Sequence, residues 1–142
     1  MDLDKKDLAV ISILKEDSRK SIREIAKQTG IRPSTVHQRL TQLKDKGVIE
    51  KFTLKLDNKS VGENFIVILL IKTKPSSLID KKIIDDNHVK EVFGITGEYD
   101  LLLKLKFKDI EEFNEFILKF RKEQQVVTTL TTVVTATIKE EI

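Results

Sequence analysis

The side chains with chemistry to offer are concentrated in one short run, Arg32-Pro33-Ser34-Thr35-Val36-His37-Gln38-Arg39-Leu40-Thr41-Gln42. Hydroxyls, amides, an imidazole and two guanidinium groups follow one another with little carboxylate among them. If the run is helical, at 100° per residue, Ser34, Gln38, Thr41 and Gln42 project about 140° to 240° away from Val36. Thr35, His37 and Arg39 flank that polar face. Val36, Leu40 and Leu43 recur at i, i+4 and i+7 and form a narrow apolar seam opposite it. A merely solvated helix face more often carries Glu/Lys pairs. Glutamine and arginine present hydrogen-bonding pairs that match base edges, and serine and threonine reach phosphates or thymine methyls. The chemistry implied is major-groove recognition of duplex DNA. The candidate contacts are Arg32, Ser34, Thr35, His37, Gln38, Arg39, Thr41 and Gln42, joined by Lys51 further along.

Other chemistries find little support. Two histidines, His37 and His88, lie far apart in sequence, with no carboxylate pair and no glycine-rich phosphate loop beside them. Asp85-Asp86 with His88 has some metal-ligand character, but these residues read better as a solvated helix end. With no cysteine there is neither a disulfide framework nor a thiolate metal site. An enzyme is not expected, and neither is a cofactor or a metal.

Three helices must position the reading face. Asp4 is a plausible N-cap for a first helix over roughly 4 to 16, with Leu8, Ile11 and Leu14 as its stripe and Val10 and Ile13 widening it. Ser21 and Glu24 form a capping box that starts a short second helix with Ile22, Ile25 and Ala26 inward, and Gly30 ends it in a left-handed cap. Pro33 suits the first turn of a third helix, which runs to Lys46 and stops at Gly47. Phe52, Leu54 and Leu56 then alternate with Lys51, Thr53 and Lys55, the pattern of a half-buried strand. A helix-turn-helix followed by a basic strand reads as the winged variant, with Lys51 and Lys55 near backbone phosphate.

Residues 57–62 read as a linker. Beyond it, a β-branched strand over Phe65 to Lys74 ends at Pro75, and Ser76 begins a helix with Leu78, Ile79, Ile83 and Ile84. A short strand over Val89 to Thr96, a turn at Gly97-Glu98-Tyr99-Asp100 and a strand over Leu101 to Phe107 follow. Asp109 caps an amphipathic helix, and the last strand spans Val126 to Ile138. The order β-α-β-β-α-β is the ferredoxin-like split βαβ arrangement. Both helices cover one sheet face, so the other, with its Thr/Val-rich last strand, is a natural dimer surface. Folds of this kind also bind RNA, but the strands lack the exposed aromatics that stack bases.

Charge divides along the same line. Residues 1–56 carry 13 Lys/Arg against 8 Asp/Glu, and residues 57–142 carry 13 against 15. The basic excess belongs to the segment expected to meet phosphate. The apolar run Phe65 to Ile71 falls far short of the roughly 20 residues of a membrane-spanning helix. The acidic start Met1-Asp2-Leu3-Asp4 has no signal-peptide character, so a soluble cytoplasmic protein is expected.

These residues together resemble the Lrp/AsnC (feast/famine) transcription regulators. The resemblance rests on Leu3-Asp4 with Asp7 and Ile13-Leu14, on Arg19 to Ala26, on Gly30 to Leu40, on Leu43 to Ile49, and on Thr96-Gly97-Glu98-Tyr99-Asp100-Leu101-Leu102, similar to the family's G-x-Y-D turn. It implies an α+β chain: a winged helix-turn-helix over 1–56, then a ferredoxin-like βαββαβ (RAM) domain over 63–142 for dimerisation and effector binding. It further implies a sequence-specific DNA-binding transcription regulator, a homodimer or an octamer or other multiple of dimers, and modulation by a small effector such as an amino acid. On that resemblance Thr96, Gly97, Tyr99 and Asp100 are the effector-site candidates. Physically, Gly97 allows close approach to the backbone, Asp100 suits an α-ammonium, and Tyr99 offers a ring and a hydroxyl; the same four residues also suit a plain β-turn. One departure stands out: the family's usual serine N-cap before the third helix is Arg32 here, where a DNA phosphate would offset both the missing cap and the unfavourable charge.

Overall fold

A computed structural model describes residues 2–142. The chain divides into two compact units, one ending at Leu54 and one starting at Lys55. The first contains three helices: α1 (Lys5–Glu16), α2 (Ile22–Thr29) and α3 (Pro33–Asp45). Each start has a local cause. Asp4 and Asp7 form a reciprocal capping box on α1, and Ser21 and Glu24 form another on α2. Gly30, at φ 70°, closes α2 in the left-handed region that glycine enters without strain. Val10, Ile25, Ala26, Val36 and Leu43 make the core, with Ile11, Leu14, Ile22 and Ile49 packed around it.

Two expectations for this unit change. Leu8, assigned to the buried stripe of α1, is 53% exposed, while Asp7 is buried in its place. The face of α1 is rotated because Asp7 has a partner on α3, described below. The strand expected after α3 is not formed: residues 50–56 carry no strand hydrogen bonding, and Phe52, Leu54 and Leu56 are exposed. A lone strand leaves its backbone groups to water, so alternation without a pairing partner does not make a sheet.

The second unit contains β1 (Phe65–Thr73), α4 (Lys81–Ile84), β2 (Val89–Gly94), β3 (Leu101–Phe107), α5 (Ile110–Phe120) and β4 (Val126–Val133). The four strands form one antiparallel sheet in the order β2-β3-β1-β4, as the split βαβ reading requires. Val67, Leu69, Ile71, Leu103, Leu105 and Phe107 point to one face and bury against Ile79, Phe116 and Phe120. Phe107 packs edge-on against Phe113 and tilted against Phe116, with ring centroids 5.4 and 5.5 Å away.

The helix expected from Ser76 shrinks to a single turn. Ser76 sits at φ 58°, and capping falls instead to Asp80, whose side chain accepts from the Lys82 N–H. Ile79 still buries, but Leu78 is 86% exposed. The expected linker is folded into the second unit. The Asp57 carboxylate accepts from the Ser60 N–H and hydroxyl at 2.7 and 2.6 Å, and Glu63 N–H donates to the Asn58 carbonyl at 2.8 Å. The last strand stops at Val133 rather than Ile138.

Candidate nucleic-acid interface and effector turn

In α3 the buried side is Val36 and Leu43, with Leu40 half-buried. Ser34, His37, Gln38 and Thr41 are exposed, and Thr35 and Gln42 are partly so. The structure thus brings these six onto one continuous solvent-facing surface. The Thr41 hydroxyl donates to the His37 carbonyl at 3.0 Å, one turn back, which leaves its lone pairs and methyl outward. Arg32 is the N-cap residue of α3, exposed and with no side-chain capping bond; Pro33 follows at the first turn. The N–H groups at that end keep the partial positive charge that attracts an anion.

Arg39 is differently engaged. Its Nη1 donates to Asp4 Oδ2 at 2.5 Å and to both carboxylate oxygens of Asp7 at 3.3 and 3.4 Å. Asp7 is buried and also accepts from the Asp4 N–H at 3.1 Å. The bond from the Asp7 N–H and the nearby guanidinium hold the Asp4 carboxyl below its ordinary range. Arg39 therefore ties the start of α1 to the middle of α3, while the rest of its planar fork stays partly exposed. Asp4 and Asp7 support the reading face although the sequence reading gave them no such role. The signal available was a buried-face carboxylate in a helix that needed a cation. Lys51 lies in the extended segment after α3 and is exposed.

In the second unit, the four effector candidates occupy the connection between β2 and β3. Gly97 has φ 109°, a conformation for glycine, and a methyl group added there would meet open space. Thr96 is exposed and Tyr99 partly buried. Asp100 is tied down: its Oδ2 accepts from the Thr73 N–H at 2.8 Å and the Thr73 hydroxyl at 3.3 Å, and its own N–H donates to the Ile71 carbonyl at 2.8 Å. The turn is thus braced on the end of β1, with Thr73 as its unforeseen partner.

A winged helix-turn-helix DNA-binding family matches residues 3–50, and the Lrp/AsnC ligand binding domain matches residues 66–142. The chain belongs to the Lrp/AsnC family. This Lrp/AsnC protein is 35% identical over 140 residues to the HTH-type transcriptional regulator FL11 of Pyrococcus horikoshii, covering 97% of this chain and 93% of the relative. Its fold matches B. subtilis LrpC with a TM-score of 0.85 at 29% identity, over 99% and 100% of the two chains. It also matches transcriptional regulator NMB0573 of Neisseria meningitidis, solved as an L-Met complex, with a TM-score of 0.87 at 25% identity, over 98% and 94%. It is a transcription regulator with a DNA-binding and a ligand-binding domain, not an enzyme. Among the described residues, no helix is long and apolar enough to cross a membrane.

The open sheet face of this Lrp/AsnC protein carries one apolar row across all four strands. Phe93 pairs with Leu102, Leu102 with Leu70, and Leu70 with Leu130. Phe93 and Leu130 are 52% and 46% exposed. The expectation that the strands expose no aromatic is corrected by Phe93. A single ring among leucines still lacks the two or three stacking rings of an RNA-binding sheet.

Proposed function

We propose that this regulator reads a palindromic or pseudo-palindromic duplex site by direct contact from α3, as a homodimer or a multiple of dimers, and that a free amino acid modulates it. The observation that carries the reading is the face of α3: Ser34, Thr35, His37, Gln38, Thr41 and Gln42 outward, Val36 and Leu43 inward. In this reading Gln38 and its neighbours contact base edges, whereas Arg32 and Lys51 contact phosphate. Arg39 has a share in phosphate contact through the part of its fork that Asp4 and Asp7 leave open. The dimer is supported by the Phe93-Leu102-Leu70-Leu130 row, an apolar strip that a second copy would bury. A protein acting on chromosomal DNA fits a cytoplasmic location, which is part of the same proposal.

The effector proposal rests on the Lrp/AsnC ligand binding domain match and on the L-Met bound by the Neisseria regulator. Thr96, Gly97, Tyr99 and Asp100 are the proposed contacts. Asp100 has its second oxygen, Oδ1, for an α-ammonium, since Thr73 occupies Oδ2.

Selection of bound fragments from random duplex DNA, with and without each amino acid, tests both parts. An enriched inverted motif whose base preference relaxes in Gln38→Ala is the expected result. Equal binding of all sequences, or preference for single strands, would overturn direct readout by α3. An unchanged motif and affinity with every amino acid would overturn the effector.

A further inference from the structure

Segment 134–142 leaves the sheet after the Val134 N–H donates to the Ile66 carbonyl at 2.9 Å. Residues 135–139 are exposed, with Ile138 at 92%. Glu140 then turns inward alone, its side chain 12% exposed. Its Oε1 accepts from Lys106 Nζ and Lys55 Nζ, both at 2.9 Å, and from Asn58 Nδ2 at 3.2 Å. Its Oε2 accepts from Lys104 Nζ at 2.6 Å. The carbonyl oxygen of Asn58 accepts from Lys106 at 2.7 Å, so the amide is oriented from both ends. Four donors, two from β3, one from the extended segment after α3 and one from the turn at Asn58, converge on the two oxygens of a single carboxylate.

This is more cation than a carboxylate needs. Lys55, Lys104 and Lys106 bring three positive charges, against Glu140 and, on the outer side of Lys104 at 3.4 Å, Glu91. The Lys106 side chain is only 10% exposed. A buried ammonium without a counter-ion is strongly unfavourable, so the cradle calls for an anion whether or not Glu140 supplies it. The concentration of donors also holds the Glu140 carboxyl far below the usual range, Lys104 contributing most. Beside the carboxylate opens a cavity of about 520 Å³, lined by Lys55, Asn58, Lys59 and Thr137 but also by the acidic Asp57 and Glu63, with Lys104 and Lys106 outside its lining. There is room for the body of a metabolite whose carboxylate took the place of Glu140.

We propose that Lys55, Asn58, Lys104 and Lys106 form a binding site for a small carboxylate, closed in this structure by the chain's own Glu140 as a tethered plug. The site is distinct from the turn at 96–100 and does not depend on it. The donors are already set to meet the two oxygens of a planar carboxylate, as they meet Oε1 and Oε2 of Glu140. A short tether gives the plug an effective concentration in about the millimolar range. A free carboxylate therefore competes with it at metabolite concentrations, and its binding releases segment 135–142.

The test uses the unchanged protein and Glu140→Ala, with sodium acetate, succinate and phosphate as probes and sodium chloride at matched ionic strength as reference. In Glu140→Ala, acetate and succinate should raise Tm saturably where chloride does not. In the unchanged protein, half-effect should need at least about tenfold more carboxylate, the plug being in competition. In parallel, methyl resonances of Ile138 and Ile142 in the unchanged protein should narrow along a saturable curve as succinate displaces the segment. If Glu140→Ala is folded and acetate and succinate act no differently from chloride, the cluster is an ion-pair network and the proposal is wrong. Tighter binding of phosphate than of either carboxylate would overturn the ligand class. If the variant does not fold, the methyl titration decides: saturable narrowing supports the site, and its absence refutes it.

Discussion

Removing the two ends of the α1–α3 clamp should have unequal costs, and the inequality follows from burial. Asp7 is 1% exposed, whereas the Arg39 side chain is 26% exposed. In Asp7→Ala, the Asp4 N–H loses its capping acceptor, worth about 1 kcal/mol, and Arg39 loses one of two carboxylates, worth about another 1 kcal/mol for a partly exposed pair. Arg39 keeps Asp4 and water, so no charge is stranded. The net cost is about 2 kcal/mol, a Tm loss of roughly 10 °C for a unit this small. In Arg39→Met, by contrast, the buried Asp7 carboxylate loses its cation, and uncompensated buried charge costs about 3 kcal/mol or more. The double variant should recover at least about 1 kcal/mol of the summed losses, because the stranded carboxylate has gone too. Denaturant unfolding checks this with two probes. The chain has no tryptophan and one tyrosine, Tyr99, so tyrosine fluorescence follows the second unit. Far-UV circular dichroism follows α1, α2 and α3, which hold most of the helix. The losses should fall on the dichroism transition and spare the fluorescence one. Additivity within about 0.5 kcal/mol, or a larger cost for Asp7→Ala than for Arg39→Met, would refute the clamp.

Three further outcomes are expected. Arg32→Ala should lower the slope of log affinity against log salt by about 1 while leaving sequence preference intact; an unchanged slope removes Arg32 from the phosphate contacts. Because the folded Glu140 carboxyl titrates below its ordinary value of 4.5, its ion pairs stabilise fully above that pH, and their contribution drains away as pH falls through and below it. The stability gap between the unchanged protein and Glu140→Gln should therefore close on acidification below about pH 4.5, and a gap independent of pH would sink the assignment. Gly97→Ala should cost about 1 kcal/mol through its positive φ alone, with no steric clash, so a loss of several kcal/mol would mean the turn is packed more tightly than described.

Local order was readable from the amino-acid sequence because its causes lie within a few residues of one another. The Ser21/Glu24 box, the Gly30 cap, the Pro33 start and the polar face at Ser34, Gln38, Thr41 and Gln42 depend on spacings of three to four residues. The β-branched apolar run of β1 and the alternation of Leu101, Leu103, Leu105 and Phe107 with Leu102, Lys104 and Lys106 in β3 likewise marked both as strands. The same local reading misplaced Leu8 and Asp7, since hydropathy says nothing of a cation 32 residues away. It expected a strand from Phe52, Leu54 and Leu56, since alternation marks what a strand would bury but not whether a partner is there. Tertiary structure alone decided which charges meet. Arg39 with Asp4 and Asp7, Asp100 with Thr73, and Glu140 with Lys55, Lys104 and Lys106 join residues 27 to 85 positions apart. Cross-strand register, which no local pattern carries, set Phe93, Leu102, Leu70 and Leu130 in one row. Short-range sterics and capping act along the chain and leave their mark in it, whereas charge pairing and register act through space and appear only once the chain has folded.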